Sequence, residues 1–142
     1  MEGNCFFCQK NVPWEEKLPA ALRRLERAEA LTKMAWGLCV LNREGAARVQ
    51  KAAAALRCRT LLLPEECPLQ GVETEQVVSY GLSGKNSLTL SSMGEQLLMS
   101  VQRELTRLDG SVVERQEILL PESLTHYPQE GVLALVGAWL LL

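Results

Sequence analysis

The sequence predicts an α/β domain: a short parallel sheet flanked by helices, continued by an antiparallel β-meander and closed by a C-terminal helix. Three observations carry this. Two apolar runs of strand length, "MAWGLCVL" and "CRTLLLP", bracket an Ala-rich helical segment. From about residue 86 the pattern changes to period-two alternation, and the last eleven residues, "VLALVGAWLLL", are apolar on every face.

Residues 1–14 read as an irregular N-terminal arm and 15–142 as one domain. From Glu15 to about Thr32, Leu18, Ala21, Leu22, Leu25 and Ala28 recur at three- and four-residue steps among charged residues, which predicts an amphipathic helix with Pro19 in its first turn. Residues 34–41 are a continuous apolar run, as expected of a strand buried on both faces. A helix over 42–57 and a second buried strand over 58–64 complete a parallel crossover unit. Residues 75–81 supply a third strand. Alternation through "SLTLSSM", 95–105 and 111–120, with Asp109-Gly110 as a hairpin turn, predicts the meander. Pro121 ends it, and a loop to Gly131 leads into the final helix.

A chain of 142 residues is long enough for one proper core. With a net charge of -2 and only 5% aromatic residues, it has neither the basic footprint of a nucleic-acid binder nor a base-stacking platform. The N-terminus lacks an apolar stretch of signal-peptide length. Five cysteines, an odd number, then argue for reduced thiols in a cytoplasm. The C-terminal run is too short to span a bilayer. It ends in mid-pattern, so either it packs on something outside this chain or the sequence is a piece of a longer one. The expected partner is a protein, or a second copy of the chain, held through the C-terminal helix.

"VVSYGLSGKNS" invites a phosphate-loop reading. That loop needs Gly, four residues, then Gly-Lys-Ser/Thr leading into a helix. Ser79 stands where the first Gly belongs, Asn86 replaces the hydroxyl residue, and a strand-like run follows. Gly84-Lys85 therefore reads as a connection between strands.

Cys5 and Cys8 have metal-ligand spacing, and zinc is the cofactor they would hold. A second pair is absent and the one histidine is far off in sequence, so incidental thiols stand first, a metal pair second and a redox dithiol third. Cys39 reads as a small buried hydrophobe. His126, in a loop beside Tyr127 and Pro128, reads as a surface or capping residue ahead of a ligand or base. The charges of "RELTRLDGSVVERQE" read as a solvated face.

The order of segments over residues 34–142 resembles the C-terminal half of the central domain of the Mur ligases. These are ATP-dependent enzymes that add amino acids to UDP-N-acetylmuramyl peptides in bacterial-type cell-wall synthesis. Leu41-Asn42-Arg43-Glu44 stands in the place of the family's Asn-x-Asp-Asp motif, Tyr80-Gly81 matches its later Tyr-Gly pair, and His126 precedes the last helix. The family's Gly-Lys-Thr loop has no counterpart before residue 34, and Glu44 is alone where two acids are expected. The resemblance implies a fold and a vestigial nucleotide side at Asn42, Tyr80 and His126, with no ligase catalysis. The expected function is a non-catalytic Mur-ligase-like module that binds a partner protein or a cell-wall precursor. The alternative is a small zinc-binding protein using Cys5 and Cys8.

Overall fold

Cys5, Phe6, Phe7 and Cys8 are almost entirely shielded from solvent, which overturns the expected irregular arm. The computed structural model describes residues 3–8, 12–52 and 55–142. Gly3–Phe7 forms strand β1, inside the main sheet. A run such as Cys-Phe-Phe-Cys is what a parallel strand covered on both faces requires.

The expected 15–32 helix is also replaced. A single 3-10 turn (Glu15–Lys17) is followed by β2 (Leu22–Leu25) and a short helix, α1 (Ala28–Thr32). The outer edge of β1 carries backbone groups that need partners. Leu22–Leu25 supplies them, pairing in parallel from Asn4↔Leu22 to Phe7↔Leu25. Tertiary pairing outweighs a weak helical spacing pattern.

The crossover unit follows in the expected order: β3 (Trp36–Leu41), buried at every position, α2 (Arg43–Ala52) and β4 (Leu56–Pro64), with Leu56 and Arg57, expected in the helix, paired in the strand instead. Residues 53 and 54 of the expected helix lie outside the described residues. Strand β5 (Val72–Tyr80) lies parallel to β4, paired from Leu56↔Val72 to Pro64↔Tyr80. Residues 65–71 join these two strands without a helix, and Cys67 and Leu69 pack on the core beneath α1 and α2.

The alternating region gives β6 (Leu88–Met93), β7 (Gln96–Val101), the two-residue strands β8 (Leu105–Thr106) and β9 (Val112–Val113), β10 (Gln116–Leu119), and then α3 (Gln129–Leu141). The sheet order is β10-β7-β6-β5-β4-β3-β1-β2, and β8 and β9 form a separate ribbon. The antiparallel part of the sheet is β6-β7-β10. Asp109-Gly110 turns only the small ribbon, because the chain leaves the main sheet after Val101.

Two cores result. One, around Phe6, Leu38, Val40, Leu62, Tyr80 and Met99, lies between the sheet and α3. The other, around Phe7, Leu31, Trp36, Leu41 and Val49, lies beneath α1 and α2. Helix α3 is apolar all round because the sheet covers one side and Trp14 leans on Gly131 from another. Leu141 is fully buried, whereas Trp139 is 58% exposed. Its indole lies at the margin because Nε1 donates to the Lys17 carbonyl oxygen at 2.8 Å. No helix among the described residues is long and apolar enough to cross a membrane.

Candidate functional site

In open α/β sheets the ligand crevice lies beyond the carboxyl ends of the strands, where the chain reverses its direction of travel through the sheet. Here that point falls between β1 and β3, since β1 leads outward to β2 and β3 leads the other way to β4. Cys8 and Asn42 stand at its mouth.

Asn42 is the N-cap of α2. Its Oδ1 accepts the Gly45 N–H at 2.7 Å, and its Nδ2 donates to Cys8 Sγ at 3.0 Å. Such a cap satisfies one of the free amides of the first turn. Gly45 lies so close to the Phe7 carbonyl oxygen that a Cβ there would overlap it. The first turn of α2 therefore seats directly on the end of β1 and fills the crevice.

Arg43, next in sequence, is held from three sides. Its guanidinium pairs with Glu130 at 2.5 Å, donates to the Glu65 carbonyl oxygen at 3.3 Å and approaches Cys67 Sγ at 3.7 Å. A cation at a helix N-terminus opposes the helix dipole, and the Glu130 carboxylate offsets it. The hydrogen bond to Glu130 raises the guanidinium's already high pKa.

The Glu65 carboxylate accepts the backbone N–H groups of Leu82, at 2.8 Å, and Ser83. Burial pushes its pKa upward, but these bonds and the Asn86 side chain outweigh that and leave it below the ordinary value. Gly81 has no room for a Cβ beside this carboxylate. Tyr80 is buried and donates to the Leu41 carbonyl oxygen at 2.7 Å. Burial first, then the nearby Glu130 and Cys67, push the phenol far above its usual range. A shallow cleft of about 380 Å³ remains between 63–68 and 79–86, with Lys85 among the residues that line it.

The structure thus brings Asn42 and Tyr80 to one end of the sheet, through Leu41. It leaves His126 exposed in the loop before α3, with no hydrogen bond or ion pair to either. Cys5 faces the core beneath α1 and α2, and Cys8 faces the core beneath α3. The two thiols therefore lie on opposite sides of β1. Cys5 instead adjoins Cys39, whose pKa is raised well above the ordinary by the hydrogen bond to Cys5 and by burial. No group of three or more His, Cys, Asp or Glu side chains arranged to hold a metal occurs among the described residues.

The chain matches no family model, no curated protein and no solved structure.

Sequence reasoning missed Arg43, Glu65, Cys67 and Glu130. The signal was available for Glu65: it directly follows a buried parallel strand, the position where such folds place their site residues. Nothing in the sequence links Glu130 to Arg43, which are 87 residues apart.

Proposed function

We propose that this chain is a non-catalytic binding module, of Mur-ligase-like build, that docks a partner protein and does not turn over ATP. One observation supports this above others. The polar groups at the carboxyl ends of the parallel strands are already bonded to one another: Arg43 to Glu130, Glu65 to the 82–83 amides, Asn42 to Gly45, and Tyr80 to Leu41. A ligand there would have to displace these bonds one by one. The loop bearing Lys85 runs from β5 into β6, whereas a phosphate loop opens a helix. No disulfide joins any two of the five cysteines, which fits a reducing compartment such as a cytoplasm.

The test is a pair of titrations on the purified chain. Incubation with Mg-ATP should release no phosphate above the buffer rate, and calorimetry with UDP-N-acetylmuramic acid should give no saturable heat. ATP turnover abolished by Lys85→Ala would restore the ligase reading. Saturable heat with the sugar nucleotide would favour precursor binding over a protein partner.

A further inference from the structure

Among the described residues, strand β10 is one of the two edges of the main sheet, paired with β7 alone. The Leu120 N–H donates to the Leu97 carbonyl oxygen at 2.9 Å. Antiparallel alternation then turns the backbone groups of Gln116 and Ile118 toward β7 and those of Glu117 and Leu119 outward. Edges of this kind are normally blunted by charge, proline or a bulge. Here Leu119 is 56% exposed on the open edge.

Beside it runs an apolar groove of about 680 Å³, floored by Leu18, Ile118, Leu120, Leu135 and Trp139. The Trp139 ring is already fixed by its bond to Lys17, so little side-chain freedom remains to be lost on binding. The surroundings are acidic. Glu16 lines the groove, Glu95 and Glu122 line an adjoining hollow that shares Leu119 to Pro121, and Glu117 projects from the strand itself. Among the described residues that line the two hollows, Lys17 is the one base.

We propose that the edge of β10 and this groove take up an extended segment of a partner chain, alternating apolar and basic residues, as an added strand. The proposal rests on the binding-module reading and names its partner's chemistry. Outward N–H and C=O groups of Glu117 and Leu119 would supply the ladder, the groove would take the apolar side chains, and the four carboxylates select for positive charge. A second copy of this chain fits the edge poorly. Two-fold pairing about Ile118 sets Glu114 of one copy against Glu122 of the other, and pairing about Glu117 sets that residue against itself. Pairing about Leu119 runs Glu117 into Pro121, which has no N–H to give.

Trp14 and Trp36 are buried, so a change in tryptophan quenching reports on Trp139. An alternating Lys-Val peptide titrated into the full chain should shift the emission to the blue and protect it from acrylamide, saturably and less so at high salt. An alternating Glu-Val peptide should do neither. Leu119→Pro removes an outward N–H but no rung to β7, and should weaken binding by about tenfold or more. Because that variant could disturb the strand, Glu117→Lys with Glu122→Lys is the second: it should transfer preference to the Glu-Val peptide. Absence of Lys-Val binding, equal binding of both peptides, or a dimer in light scattering with Trp139 already shielded would overturn the proposal. None of these would produce ATP turnover, the result that sinks the binding-module reading itself.

Discussion

The hydroxyl of Tyr80 donates a 2.7 Å hydrogen bond to the carbonyl oxygen of Leu41, joining the ends of β5 and β3 across the intervening β4. Tyr80→Phe removes the donor and leaves a buried acceptor, a change that costs about 1–3 kcal/mol. The urea midpoint should fall while the slope of the transition holds. The phenol's pKa is raised in the folded state, chiefly by burial, against about 10 in the unfolded chain. The unfolded state therefore loses this proton first, so stability falls as pH rises above about 10. Urea titrations on either side of that pH should show the fall in the parent protein and a smaller one in Tyr80→Phe.

Two glycines should respond in opposite directions to alanine. At Gly45 the new Cβ would meet the backbone oxygen of Phe7, which cannot move without shifting β1. Overpacking of this kind costs about 1–3 kcal/mol. At Gly84 none of the described residues lies within 4 Å of the place a Cβ would take, and the loss of unfolded-state freedom should stabilise by about 0.4–1 kcal/mol. Thermal melts of the two variants, run side by side, check both signs.

The thiols should react in order of exposure. Cys5, Cys8, Cys39 and Cys58 are buried and Cys67 is partly open. A disulfide reagent added to the native protein should label Cys67 first and the rest only on unfolding, and Cys67→Ser should remove the early phase. Burial raises the Cys67 pKa, with Arg43 pulling the other way. Its labelling rate should therefore keep climbing above the ordinary thiol value of about 8.5.

Truncation after Gly137 removes Ala138 and Leu141, both fully buried. It also removes the carbonyl oxygens of Leu140 and Leu141, which accept bonds from Arg107 and the Leu108 N–H. Burial of one large apolar side chain is worth about 1.5–3 kcal/mol, out of a domain total of about 5–15 kcal/mol. The truncated chain should melt much earlier or fail to fold, as circular dichroism will show.

What could be read from the sequence follows from how many neighbours each segment has. Trp36–Leu41, the 60–64 end of β4 and most of α3 are enclosed by protein, so their apolar runs are unambiguous. The same signal was present in Cys5-Phe6-Phe7-Cys8, but metal-ligand spacing competes with strand composition there, and four residues are too few to arbitrate. Leu22–Leu25 had no local signal, since its strand state depends on β1 being beside it. Within the candidate site, Asn42 and Tyr80 sit at element ends that sequence can mark. Arg43 and Glu130 meet only through the fold.

The link between β4 and β5 sets a limit on chain length. Pro64 lies opposite Tyr80 and Leu56 opposite Val72, so the path from Pro64 to Val72 must travel back along the whole strand, about 26 Å. Eight peptide units reach about 28 Å at most. The segment, which turns at residues 65–66 and bends at 70–71, therefore has little slack, and its span fixes the register of the two longest strands. Lengthening it would leave that alignment untouched, whereas removing even one residue would force β5 to slide or surrender its last rung. A slide of one residue would turn Val78 and Tyr80 out of the core and bring the outward Val77 and Ser79 in.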